Sequence, residues 1–187
     1  MKKGIIVIML LTLLTQELYI IKDIQDNRKE EAKTAYSQSI IETRNISTED
    51  NSFLTTKDGL EINSTDFKIL CKISSAEAGR TNLTGMKNVA TVILNRIANP
   101  SFEKDYDVES TVFRDKQFSP VRDGNYGKAI VTEEVEKTVK EAVENYSYSD
   151  NIVYGATHFA NLSICNPKWQ YKMEALFTDE AGHTFFR

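Results

Sequence analysis

Apolar residues recur at helical spacing between Ser64 and Gly79. At about 100° per residue they form one continuous arc, which consists of Phe67, Ile69, Leu70, Cys71 and Ile73. The residues that face away from this arc are Lys68, Lys72 and Ser75. Ser64 or Thr65 can cap the start of a helix, and Gly79 is a typical stop signal. The pattern therefore predicts a first amphipathic helix over this stretch.

Two further segments have the same period. One runs from about Gly85 to Ala98 and stops before Pro100. Its expected inward positions are Met86, Val89, Ala90, Ile93 and Ile97. The other follows Thr132 as N-cap and has two glutamates in its first turn, where they suit the helix dipole. Its expected buried positions are Val135, Val139, Ala142, Val143 and Tyr146.

The end of the chain has a different period. Residues 152–159 and 174–186 are expected to be extended, and a turn at DEAGH, residues 179–183, interrupts the second segment. Helices followed by a short antiparallel sheet predict a small α+β domain.

The first 63 residues differ in composition from the rest. Lys2 and Lys3 precede an apolar run from Ile5 to Leu14, which has the length of a signal-peptide core. No small-x-small cleavage site follows, so residues 1–22 are typical of either a signal peptide or a membrane anchor, and we expect export. Residues 23–63 are rich in polar and charged residues, which predicts a flexible tether. The compact domain is expected to cover residues 64–187.

Length and charge narrow the class of protein. With 187 residues, 41% of them hydrophobic, the chain can bury one core. The net charge of −4 and the lack of a basic stripe exclude nucleic acid as an expected partner. The two cysteines, Cys71 and Cys165, are compatible with two separate thiols or with one disulfide.

Glu77 is the clearest local inconsistency, because it falls inside the apolar arc of the first helix. Burial raises the pKa of a carboxyl group, and a carboxyl group that keeps its proton can protonate a glycosidic oxygen. The alternative is a helix-end carboxylate that pairs with Arg80 or Arg96. Local pattern alone favours neither interpretation.

A second carboxylate usually accompanies the acid in glycoside hydrolysis. The nearby candidates all lie in loop-like sequence and are expected to be solvated turn residues: Asp105, Asp107, Asp115 and Asp123. A substrate that supplies its own nucleophile, such as the C6 hydroxyl of muramic acid, would make a second carboxylate unnecessary.

Several motifs occur in a fixed order along the domain. They are AEAG at 76–79, GMKNVATVILNRIANPSF at 85–102, VFRDKQFSPVRDG at 112–124, YGATHFAN at 154–161, Trp169, and AGHTFFR at 181–187. This set resembles the SleB-type cell-wall hydrolases, the spore-cortex-lytic enzyme family. The resemblance implies a lysozyme-like, lytic transglycosylase-like fold and cleavage of peptidoglycan between N-acetylmuramic acid and N-acetylglucosamine. It also implies that Glu77 is the catalytic acid and later the base, and that no cofactor is needed.

The resemblance also suggests which residues bind the substrate. They are Gln117, Phe118 and Ser119 of the QFS segment, then Thr157, His158 and Asn161. Tyr154 and Trp169 are further candidates for sugar contact because of their aromatic rings, and packing in the core is an equal alternative for each. Strict strand alternation would point His158 away from Thr157 and Phe159, so not all of these can face one cleft. Arg96 is interpreted as a residue that favours its helix C-terminus. One departure from the family pattern is that Glu77 is followed by Ala78-Gly79-Arg80-Thr81, whereas E-A-R-G-E is common in the family.

Two other classes of function stay open. A zinc amidase could use Glu77, His158, His183 and the cysteines, although no His-x-x-x-His or Cys-x-x-Cys spacing supports it. The second open class is a module that binds the cell wall and has no catalytic activity. The sequence does not choose between vegetative wall, spore cortex and a wall attacked by a phage, and it places the protein in the wall, on the outer face of the membrane, or in the spore.

Overall fold

A computed structural model describes residues 53–79, 81–150, 153 and 155–187. In chain order its elements are β1 (Phe53–Thr55), β2 (Glu61–Asn63), α1 (Ser64–Ala78), α2 (Leu83–Ala98), α3 (Val108–Phe113), α4 (Ser119–Asp123), α5 (Asn125–Lys128), α6 (Glu133–Asn145), β3 (His158–Asn161), a 3₁₀ helix (Lys168–Lys172), β4 (Ala175–Thr178) and β5 (His183–Phe186). The expected α+β class is confirmed.

The three long helices start at side-chain caps. Asn63 accepts a hydrogen bond from the Asp66 backbone N–H at 2.8 Å, so the cap of α1 lies one residue before the predicted Ser64. Asn82 caps α2, and Thr132 caps α6 as predicted. Each cap satisfies a backbone donor that the first turn of a helix leaves free. The helix ends predicted at Gly79 and Ala98 agree with the structure.

The main core lies between α1, α2 and α6. Its fully buried residues include Leu70, Ile73, Val89, Ile93 and Val139. All five were expected on inward faces. Leu94 was not, and it is also fully buried because α2 has neighbours on more than one side. Ser75 differs from its prediction: it is buried, and its hydroxyl donates to the Ile130 carbonyl at 2.9 Å.

The sheet at the end of the chain has the strand order β3-β5-β4, and both pairs are antiparallel. A second core cluster of Val92, Val153, Ala156 and Phe185 holds it against α2. The Asn95 side-chain amide also donates to the Ala156 carbonyl at 2.8 Å. The strand expected over 152–159 is found at His158–Asn161, so it starts later and ends later than predicted.

Residues 53–63 differ from the tether expected over 23–63. β1 and β2 pair as an antiparallel hairpin, and Ile62 is only 2% exposed in the main core. Burying one isoleucine stabilises the fold by roughly 1.5–3 kcal/mol. The average composition of residues 23–63 is polar and does not reveal this single buried residue. The packed domain therefore includes these residues.

The predicted signal peptide or anchor at residues 1–22, and the tether up to residue 52, lie outside the described residues. Among the residues described, none of the helices combines the length and the apolar character needed to cross a bilayer.

Asp66 is a buried carboxyl group that links two helix starts. Its side chain accepts hydrogen bonds from the Asn63 amide at 3.0 Å and from the Glu109 backbone N–H at 3.0 Å. Burial raises its pKa from 3.8 to about 6, against the opposing effect of the Glu109 hydrogen bond. The folded state therefore binds this proton more tightly than the unfolded chain does.

We expect Asp66 to make the folded state less stable as the pH rises from about 4 to about 6. Below that window both states are protonated, and above it both are ionised, so the change should be confined to it. The loss in the free energy of unfolding across this window should be on the order of 2 kcal/mol. Urea unfolding of wild type and Asp66→Asn at several pH values measures it. If the free energy of unfolding of Asp66→Asn falls with pH as steeply as that of the wild type, another group causes the change.

Candidate functional site

A cleft of about 540 Å³ opens between the helical part and the sheet. Its lining comes from the end of α1, the inner side of α2, the segment that enters α4, strand β3 with the loop after it, and the start of β5. The lining residues used below are Glu77, Arg96, Gln117, Phe118, Ser119, Asp123, Thr157, His158, Phe159, Asn161, Cys165, Trp169 and His183. This volume suits a small ligand or a segment of a polymer.

Glu77 lies in the last turn of α1 and contacts this cleft. Gly79 ends the helix directly afterwards at φ +76°, a conformation that favours glycine, so the chain turns away and leaves the cleft open. Burial raises the pKa of Glu77 from 4.5 to about 7. At neutral pH a large share of this carboxyl group therefore carries its proton.

Two groups of α4 act on Glu77. The negative charge of Asp123 raises the pKa further, and the Ser119 backbone N–H, which donates to the carboxylate, lowers it. Ser119 is the first residue of α4 and Asp123 is the last. One short helix thus supplies both a donor and a carboxylate to the same side chain, and the net effect is that the acid form persists.

Arg96 is a wall residue with its own partners. It is 3% exposed, and its Nε donates to Asp105 Oδ2 at 2.7 Å. Its guanidinium also lies 5.1 Å from the Phe102 ring centre and donates to Gln117 Oε1 at 2.8 Å. The described residues include no ion pair of Glu77, so the alternative pairing with Arg96 is not found, and Arg80, the other partner considered, lies outside the described residues. Arg96 lies in the last turn of its helix as predicted, and in addition it joins three segments in the interior.

Asp105 corrects a second prediction. It is not a solvated turn residue: its side chain is fully buried and pairs with both Arg96 and Arg114. Asp107 caps α3, whereas Asp115 is exposed as expected. Asp123 is exposed but lines the cleft.

Five consecutive residues around β3, 157–161, line the cleft. Thr157, His158 and Phe159 therefore all line one cleft, which the alternation argument did not expect. β3 is an edge strand of its sheet, so its backbone as well as its side chains can form the wall. The His158 ring lies 5.1 Å from the Trp169 ring and 6.0 Å from Phe102.

His158 is uncharged at neutral pH. Burial lowers its pKa to about 4, and the positive charges of Arg96 and Arg114 lower it as well. Its Nδ1 is within hydrogen-bond distance of the Thr157 hydroxyl at 3.0 Å. The wall formed by His158 and Trp169 is therefore an uncharged, aromatic surface.

Two predicted amides have partners within the protein. The side-chain oxygen of Gln117 accepts a hydrogen bond from Arg96, and its side-chain nitrogen donates one to the backbone carbonyl of Asp115 at 3.3 Å. The Asn161 side chain accepts from the Ser163 backbone N–H at 3.1 Å and donates to the Ala181 carbonyl at 3.3 Å. Both amides hold loops of the cleft in place.

The structure brings together most of the residues predicted for the site. Those lining the cleft are Glu77, Gln117, Phe118, Ser119, Thr157, His158, Asn161 and Trp169. Tyr154 lies outside the described residues. Their roles stay predictions. Sequence reasoning missed Arg96, Asp123 and His183 as wall residues, and the only signal for them was that they fall within or beside the quoted motifs.

The comparisons with known proteins bear on this cleft directly. The model of the family described as Cell Wall Hydrolase matches residues 80–186, more than half of the chain. The chain belongs to the cell wall hydrolase family. The predicted resemblance is confirmed, and the protein is a hydrolase of cell-wall peptidoglycan. The match begins three residues after Glu77, so it does not include that residue.

Two solved structures share the fold of this cell wall hydrolase. One is the catalytic domain of the Bacillus cereus SleB protein, with a TM-score of 0.55 and 22% identity, covering 67% of this chain and 92% of that one. The other is the catalytic domain of the germination-specific lytic transglycosylase SleB from Bacillus anthracis, with the same TM-score and identity, covering 67% and 96%. No protein with a curated description matches the chain.

The structure also bears on the thiols and the metal alternative. Cys71 is a buried free thiol, and Cys165 is an exposed free thiol in the cleft wall, so the two do not form a disulfide. Within the described parts of the chain, no three His, Cys, Asp or Glu side chains converge in a way that could hold a metal ion.

Proposed function

We propose that this cell wall hydrolase cuts the glycan strand of peptidoglycan between N-acetylmuramic acid and N-acetylglucosamine, with Glu77 as the acid and then the base. The observation that carries the proposal is a carboxyl group with a pKa of about 7 in the wall of an open cleft. A general acid is most effective when its pKa lies near the working pH.

The proposed first step is proton transfer from Glu77 to the glycosidic oxygen. The bond between C1 of the muramic acid and that oxygen then breaks, and the N-acetylglucosamine leaves with a free 4-hydroxyl group. Positive charge spreads over C1 and the ring oxygen of the muramic acid. The negative charge that develops on Glu77 is stabilised by the Ser119 backbone N–H.

In the second step the Glu77 carboxylate takes a proton from the attacking group. If the attacker is the C6 hydroxyl of the same muramic acid, a bond forms between O6 and C1 and the product is an anhydro sugar. If it is water, the product is a reducing muramic acid. Asp123 is the other carboxylate at this wall, and it is exposed.

Mass spectrometry of digested peptidoglycan tests the proposal. Purified sacculi are incubated with the full-length protein, and the soluble products are analysed. Anhydro-muramic or reducing muramic ends support glycan cleavage and separate the two routes. Reducing N-acetylglucosamine ends, or free stem peptides with intact glycan, would overturn it, and the latter would favour the amidase. Cortex and vegetative sacculi assayed side by side identify the preferred wall.

We expect the catalytic rate to fall as the pH rises through about 7, because Glu77 must be protonated to act as the acid. Replacing Asp123 with asparagine removes a negative charge that raises this pKa, so the fall should move to lower pH. Asp115→Asn is the matched control, since Asp115 is exposed and outside the cleft lining. A profile of kcat/KM against pH that is identical in wild type and Asp123→Asn contradicts the link between these carboxyl groups.

The proposal includes export. Residues 1–22 serve as a signal peptide or membrane anchor, residues 23–52 as a tether, and the remainder as the catalytic domain. The apolar run from Ile5 to Leu14 after two lysines supports this. Fractionation of cells that produce a C-terminally tagged chain, with the mass of the mature protein, distinguishes a cleaved signal from an anchor.

A further inference from the structure

A histidine and a carboxylate form a second polar pair in the cleft. His183 is the first residue of β5 and lines the cleft, and Asp179 lies in the turn between β4 and β5. The Asp179 side chain is 4% exposed and that of His183 is 13% exposed. The imidazole Nδ1 is 3.5 Å from Asp179 Oδ2. Neither residue has a part in the steps proposed for Glu77.

The turn fixes the carboxylate and the aromatic wall fixes the ring. Asp179 Oδ1 accepts hydrogen bonds from the backbone N–H groups of Ala181 at 3.0 Å and His183 at 2.9 Å. The His183 ring meets the Phe159 ring edge-on, with 5.7 Å between their centres. The pair is therefore held in place before any ligand arrives.

The surroundings decide which ring nitrogen carries the proton. Asp179 Oδ2 and His183 Nδ1 are both buried, and neither has a hydrogen bond to another group in the described part of the chain. A lone pair on Nδ1 would face the carboxylate oxygen and be repelled, whereas an N–H would be attracted. In the neutral ring the proton therefore belongs on Nδ1, and the lone pair is on Nε2.

The other ring nitrogen is open to the cleft. Nε2 of His183 is not among the buried atoms that lack a partner, and no residue of the described chain donates a hydrogen bond to it. Because His183 lines the cleft, this nitrogen presents a hydrogen-bond acceptor there. Protonated Glu77 is a donor, so the two residues offer opposite kinds of hydrogen bond to a ligand.

We propose that His183 is a substrate-binding residue whose Nε2 accepts a hydrogen bond from a sugar hydroxyl of the glycan. Asp179 is its positioning residue, since it keeps the proton on Nδ1. The proposal rests on the proposed function for its ligand, a glycan strand. It assigns to the start of β5 a role in recognition and leaves proton transfer to Glu77.

The tautomer is directly measurable, because the chain contains only two histidines. Long-range ¹H–¹⁵N correlation spectra of the full-length protein distinguish a protonated Nδ1 from a protonated Nε2 in each ring. We expect His183 to carry its proton on Nδ1. Asp179→Asn keeps an oxygen for the two backbone N–H groups but can turn an amide N–H toward Nδ1, so the proton should move to Nε2. A wild-type ring protonated on Nε2, or an unchanged tautomer in Asp179→Asn, would overturn the proposal.

Binding is measured by calorimetry with soluble glycan fragments, in full-length protein that carries Glu77→Gln so that no cleavage occurs. We expect His183→Phe and Asp179→Asn each to weaken binding about tenfold, the loss that corresponds to one hydrogen bond. Adding Asp179→Asn to His183→Phe should weaken binding no further, because the two residues act through one nitrogen. Glu180→Gln, an exposed neighbour in the same turn, is the matched control and should bind like the parent.

The outcomes separate this proposal from the proposed function. Parent-like binding by both His183→Phe and Asp179→Asn overturns the role of His183, whatever Glu77 does. If cleavage proves independent of Glu77 while the tautomer and binding results hold, only the role of Glu77 fails. Should His183→Phe not fold, as thermal unfolding would show, Asp179→Asn carries both measurements alone.

Discussion

Replacing Glu77 with glutamine is expected to lower the rate of glycan cleavage by a factor of about 10² to 10⁴, the usual contribution of a general acid. Glutamine has nearly the same shape but no acidic proton to give to the glycosidic oxygen. The amide can still accept the Ser119 N–H, so the wall of the cleft should keep its form. Binding of glycan should therefore change much less than kcat does.

The measurement is the release of soluble muropeptides from sacculi under saturating conditions. Glu134→Gln is the matched control, because Glu134 is an exposed glutamate on α6, away from the cleft lining. Thermal unfolding of each variant separates lost chemistry from lost structure. If Glu77→Gln retains more than about a tenth of the wild-type rate while folded, the acid must be a different group, and Asp123 is the next candidate in the cleft.

The sequence predicts the helices well for a physical reason. Apolar period and stop signals are local properties, so the pattern places α2 and α6 and most of their buried faces, together with the Thr132 cap. It did not give the start of α2, which lies at Leu83 behind the cap Asn82 and not at Gly85. The hairpin of β1 and β2 shows the opposite case. Ile62 is one apolar residue in a polar segment, and only the packing of the folded domain makes it part of the core.

The site follows the same division. Glu77 is detectable because it interrupts a local apolar arc, and the structure then gives it the expected raised pKa. Asp105 is misread because its partners, Arg96 and Arg114, are nine residues away on either side, a separation that no helix or strand period reveals. The turn that brings Asp179 near His183 is local and was predicted at residues 179–183, whereas the sheet register that sets His183 opposite Asn161 is a tertiary fact.

Removing the carboxylate of Asp105 should destabilise the fold more than any other polar substitution discussed above, because it would leave a buried charge without its partner. One carboxylate oxygen, Oδ2, accepts from Arg96 at 2.7 Å and from Arg114 at 3.1 Å, and the Asp105 side chain has no exposed surface. Removing it leaves the guanidinium of Arg96, itself 4% exposed in its side chain, buried without its counter-ion. Breaking a buried pair from one side costs about 3–5 kcal/mol.

We therefore expect Asp105→Ala to lower the free energy of unfolding by about 3–5 kcal/mol, a large fraction of the roughly 5–15 kcal/mol available to a domain. Activity should fall even where the variant is folded, because Arg96 also holds Gln117, and Gln117 lies two residues before the Ser119 N–H that contacts Glu77. Urea unfolding at low temperature measures the loss of stability. The rate of cleavage and its pH dependence in the folded variant measure the effect on Glu77. Asp115→Ala, which removes an exposed aspartate from the same loop, should cost less than about 0.5 kcal/mol. A cost below about 1 kcal/mol for Asp105→Ala would mean that water reaches Arg96 and replaces the carboxylate, and the cleft wall would then be more open than its burial indicates.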